Sequence, residues 1–64
     1  MKLEVHVSGS WKQRRVFDAA TQEELSAGEC HDIAEFVRLH ERVRLVGEGG
    51  RTLVEWPERQ EVRR

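Results

Sequence analysis

Hydrophobic positions along this chain follow two periods, 2 and 3.6. Across Asp32-Ile-Ala-Glu-Phe-Val-Arg-Leu-His-Glu41, Ile33, Phe36, Val37 and His40 fall at i, i+3, i+4 and i+7. That spacing stacks them on one stripe and predicts an amphipathic helix over 32–41. Asp32 stands at the N-cap position with Glu35 three residues on, a capping-box pattern. In Lys2-Leu-Glu-Val-His-Val-Ser8 the apolar residues alternate instead: Leu3, Val5 and Val7 point one way, Lys2, Glu4 and His6 the other. This predicts a half-buried strand. Ser8-Gly9-Ser10 is a reversal signal, and Trp11–Asp18 is the returning strand. Its alternation puts Trp11, Gln13, Arg15 and Phe17 on one face and Lys12, Arg14 and Val16 on the other.

Between this hairpin and the helix, Thr21 with Glu24 repeats the capping-box spacing and Gly28 offers a C-terminal stop. A short helical piece over 22–27, anchored by Leu25, follows from that reading, and Glu29-Cys-His31 links it to the main helix. Beyond the helix, Arg42–Gly47 and Arg51–Trp56 flank Glu48-Gly49-Gly50, a hairpin with a glycine-rich turn. Pro57 ends the last strand. The expected organisation is a single α+β domain over 1–57 and a polar C-terminal tail over 58–64.

The element order is ββαββ. One long helix after the second strand returns the chain to that strand's starting level. The third strand then runs parallel to the second and antiparallel to the first. Order 2-1-3-4 makes each neighbouring pair antiparallel with a right-handed crossover. The predicted fold is a two-layer α+β sandwich, a four-stranded antiparallel sheet with one main helix on one face.

Size changes this picture. A chain of 64 residues buries only about 60% of its unfolded surface. Domains this small often rely on a disulfide, a metal or a partner. One cysteine excludes an internal disulfide, and three scattered histidines do not make a structural zinc site. No cofactor or metal is expected. A partner, including a second copy in a homodimer, is the remaining staple. No apolar run is long enough to span a membrane, and a lone cysteine with no leader pattern predicts a cytoplasmic location.

Net charge is −1 with 36% charged residues, unlike the strongly basic balance of most nucleic-acid binders. The charge is segregated along the chain. Residues 1–20 hold four cations and two acids; residues 21–42 hold six acids and two cations. An ordinary solvated surface accounts for this, as does a bipolar surface that orients a partner.

The candidate chemistry is sparse. Cys30 beside His31 is not a dyad without spatial convergence, and a small linker cysteine is the simpler reading. His40 belongs to the apolar stripe. The acids around helix starts favour the helix dipole, which explains them without acid–base chemistry. Gly47-Glu-Gly-Gly50 lacks the Lys-Ser/Thr of a phosphate loop and opens no helix. No enzyme activity is expected.

Binding is favoured instead. The third and fourth strands do not alternate cleanly: Val46 points away from Val43 and Leu45, and either Leu53 or the pair Val54 and Trp56 must face outward. Leftover apolar sheet surface, two tryptophans and several arginines are ingredients of an interface. The residues expected at it are Trp11, Arg14, Arg15, Val46, Val54 and Trp56. The expectation is a small non-enzymatic protein-binding module: a regulator, an adaptor, or an inhibitor of the kind phages and mobile elements encode to block a host complex. The alternative is a nucleic-acid-binding accessory protein that uses the basic first hairpin, Trp11-Lys-Gln-Arg-Arg15.

Overall fold

A computed structural model describes residues 1–57; the expected tail, 58–64, lies outside the described residues. The order is β1 (Lys2–Val7), β2 (Ser10–Val16), a 3-10 turn (Gln22–Glu24), α1 (Ala27–Leu39), β3 (Val43–Val46), a second 3-10 turn (Glu48–Gly50) and β4 (Thr52–Trp56). The strands form one antiparallel sheet in the order β2-β1-β3-β4, as the sequence predicts.

The first hairpin is tight. Val7 pairs with Ser10, which leaves Ser8 (φ 52°) and Gly9 (φ 84°) as the two turn residues. Two successive positive φ values match the right-handed twist of the strands they join. The N-terminal ammonium then ties the returning chain down, donating to the carbonyls of Phe17 at 2.8 Å and Ala19 at 2.9 Å.

The helix begins earlier than the 32–41 reading. Its N-cap is Ser26, whose hydroxyl accepts from Glu29 N–H at 3.1 Å while Glu29 Oε1 accepts from Ser26 N–H at 2.8 Å. The capping box is therefore Ser26–Glu29, not Asp32–Glu35. Gly28 lies in the first turn of α1 rather than ending a preceding helix. Cys30 and His31 are helical, not linker. Thr21 makes no side-chain cap bond; Glu24 Oε1 instead accepts from Ala20 N–H at 2.9 Å. At the other end, His40 N–H donates to the Phe36 carbonyl at 3.0 Å, and the two rings stack 5.8 Å apart.

Two bulges decide which face each edge residue takes. In β2, Arg15 pairs with Leu3 but Gln13 pairs with Glu4, so Arg14 is an extra residue. The insertion reverses the alternation. Trp11 and Gln13 share a face with His6 and Glu4, while Arg15 and Phe17 turn to the helix side. The single-face reading of Trp11 through Phe17 is corrected accordingly. In β4, Val54 pairs with Leu45 and Thr52 with Val46, which leaves Leu53 extra. Leu53 packs against the core and closely over Gly47, where an added Cβ would meet it at 3.3 Å.

The core lies between α1 and the sheet. Leu3, Val5, Phe17, Val43 and Leu45 are buried together with Ile33 of the helix, and Phe36 and Val37 pack against them. Apolar burial of this kind contributes roughly 1.5–3 kcal/mol for each large side chain.

Candidate interaction site

The sheet's open face is not the leftover apolar surface that the sequence suggests. Register puts Glu4, Arg44 and Glu55 in one row with Gln13. His6 and Trp11 form the next row, which Arg42 joins through the bond from His6 N–H to its carbonyl at 3.0 Å. Trp11 is the hub. The Arg44 guanidinium lies 4.1 Å from its ring centroid and that of Arg42 5.1 Å. The His6 ring meets it edge-on at 5.0 Å. Each arginine–indole contact is worth about 0.5–2 kcal/mol, depending on how far the cation is desolvated.

Each arginine also has a carboxylate. Arg44 Nε and Nη2 both lie 2.7 Å from Glu4 Oε1. Arg42 Nε donates to Glu55 Oε2 at 3.1 Å, and its Nη2 bonds to the same oxygen. The Arg44–Glu4 pair is the more sheltered, with side-chain exposures of 27% and 18%. The result is a connected chain, Glu4–Arg44–Trp11–Arg42–Glu55, across the open face of the sheet from β2 to β4. Holding these side chains before any partner arrives lowers the ordering cost of binding.

The two layers carry opposite charge. The strands with Arg42 hold Lys2, Lys12, Arg14, Arg15, Arg42 and Arg44 against Glu4 and Glu55. The helical layer holds Glu23, Glu24, Glu29, Asp32 and Glu35 against Arg38. Arg42 belongs by sequence to the acidic stretch, yet it stands on the sheet. Arg15 bridges the layers, reaching Asp32 at 2.7 Å with its guanidinium 5.0 Å from the Phe17 ring. Lys12 and Arg14 are exposed and make no ion pair among the described residues.

The residues expected at an interface therefore divide. Trp11 is on the open face, with Arg14 at the bulge of its edge strand. Arg15 is on the helix side and paired. Val46 faces outward as predicted but is buried. Val54 and Trp56 pair with Leu45 and Val43, so they face the helix side. His6, Arg42 and Arg44 complete the Trp11 cluster and were not singled out in the sequence. Arg42 falls outside any strand, and the pairing that brings it beside Trp11 spans three strands.

Val54 packs against the core, while Trp56 belongs to a second feature. α1 does not cover the β4 side of the sheet, and an open groove of about 480 Å³ runs between them. Leu45 and Trp56 form its floor, and Ile33, Ala34 and Val37 form its helical wall, with Leu25 at one end. Cys30 is an exposed thiol on that wall. His31 next to it is directed instead toward Glu35, at 3.9 Å. Among the described residues no group of three or more His, Cys, Asp or Glu side chains is placed to hold a metal ion, and no helix is long and apolar enough to cross a membrane. No protein-family model, curated protein or solved structure matches the chain.

Proposed function

We propose that this protein is a small non-enzymatic binding module, a regulator, adaptor or inhibitor, that docks an acidic protein surface on the open face of its sheet. The observation that carries this reading is Trp11 on the edge strand β2, held half-exposed with the guanidinium groups of Arg42 and Arg44 against its ring in the positively charged layer. Tryptophan and arginine dominate interface energetics when they are central and pre-positioned. The acidic helical layer on the opposite side gives the molecule a polarity that orients an approaching acidic partner.

Nucleic acid is the second reading, favoured by the same positive layer and by Lys12 and Arg14 at its edge. It ranks lower because the chain's net charge is −1, whereas nucleic-acid binders usually run strongly basic.

The test is affinity capture with the tagged full-length chain from nuclease-treated lysate of its source cells, followed by titration of the captured protein. Trp11→Ala weakens binding by about 30-fold or more, the scale of a central hot spot. Lys12→Glu with Arg14→Glu slows association and flattens its salt dependence. Capture that disappears with nuclease, together with a salt-sensitive shift of labelled oligonucleotides, establishes the nucleic-acid reading instead.

A further inference from the structure

The two edges of the sheet are built differently. β2 is guarded: Ser10–Val16 carries Lys12, Arg14 and Arg15 and is broken by the bulge at Arg14. Charges and bulges are the usual means of keeping an edge from pairing with another chain. β4 is Thr52-Leu-Val-Glu-Trp56, with one charge, and that charge is tied to Arg42. Among the described residues nothing pairs with its outer side.

The apolar groove opens beside this same edge. Strand edge and groove together form a nearly neutral strip on a chain in which 36% of residues are charged. Among the described residues the only cation on the groove's lining, Arg38, is paired with Glu35 at 2.7 Å. No acid is among the described lining residues of the groove, and Asp32 of the helix points the other way, to Arg15 on β2.

We infer that β4 is the seam of a homodimer, in which a second copy pairs antiparallel with β4 about a twofold axis normal to the sheet. This surface is separate from the open face and does not depend on the function assigned there. A second copy presents the same edge, whose one charge, Glu55, is already tied to Arg42, so the contact is self-complementary and closes on itself. Antiparallel pairing about such an axis keeps both helices on one side of a continuous eight-stranded sheet. The two grooves then meet over the central strands, floored by Leu45 and Trp56 of both copies. The chain's own terminal segment is a poor occupant, because Glu58–Arg64 contains one apolar residue, Val62. A core of so few buried side chains gains from a seam that adds apolar contacts.

Sedimentation of the full-length chain from about 1 μM to about 1 mM, the range over which moderate dimers dissociate, tests the seam. The expected species is twice the 7.5 kDa chain mass, going over to monomer on dilution. Val54→Lys weakens association about tenfold or more. Thr52→Lys, at an exposed position outside the core, does the same in a variant whose fold is not at issue. With Cys30→Ser as background, single cysteines placed in turn at 52 to 56 cross-link under oxidation at the position nearest the axis, where strand spacing suits a disulfide. A cysteine replacing Gln13 on β2 does not. A monomer at every concentration, or cross-linking that ignores position, overturns the inference. Dimerisation that survives both lysine substitutions overturns it as well.

Discussion

Trp11 and Phe17 lie six residues apart in one extended segment, yet they stand on opposite faces of the sheet. Arg14, the extra residue of the β2 bulge, separates them. The inversion gives the core a buried Phe17 and the open face its aromatic hub. Deleting Arg14 removes the extra residue, so Gln13 and Arg15 stay opposite Glu4 and Leu3 in an unbroken ladder and both rings keep their faces. That deletion is expected to cost no more than about 1 kcal/mol, whereas deleting Gln13 together with Arg14 brings the two rings to one face and is expected to cost about 2–3 kcal/mol, that of exposing a buried Phe. Urea unfolding of both variants measures the difference.

Glu4 holds Arg44 from the neighbouring strand in a partly sheltered site. Glu4→Ala leaves the guanidinium without its acceptor and is expected to cost about 1.5–3 kcal/mol, as for hydrogen bonds to a charged group. For a domain of this size each kcal/mol lowers Tm by roughly 4–8 °C. Asp32→Ala removes the more exposed Arg15 pair and is expected to cost no more than about 1 kcal/mol. Thermal melts of the two variants rank the pairs.

Ser26 caps α1, and Thr21 caps nothing through its side chain. Ser26→Ala should lower stability by about 1 kcal/mol. Thr21→Ala should change it by less than about 0.5 kcal/mol. Equal losses at the two positions would contradict the placement of the helix start.

Topology was legible in the sequence because alternation in Lys2–Val7 and the apolar stripe through Ile33, Phe36 and Val37 are strong patterns with one geometric solution. The helix start was not. Thr21–Glu24, Ser26–Glu29 and Asp32–Glu35 all have capping-box spacing, and local pattern does not choose among them. Asp32 is instead engaged by Arg15, a contact across seventeen residues. Bulges were illegible for a related reason. A run such as Trp11-Lys-Gln-Arg-Arg-Val-Phe17 carries no mark of an inserted residue, and the parity change appears only when Leu3 and Glu4 are matched to their partners. This is why Val54 and Trp56, named as outward candidates, face the helix side, and why the cluster around Trp11 was seen only in part.

The two tryptophans allow the most direct test, because one stands on the open face and the other on the groove floor. The measurement is an NMR titration of the two indole N–H signals with the captured partner, at fixed protein concentration. Docking on the open face shifts or broadens the Trp11 signal and leaves that of Trp56 in place. A Trp56 signal that moves while Trp11 stays unchanged would contradict the account.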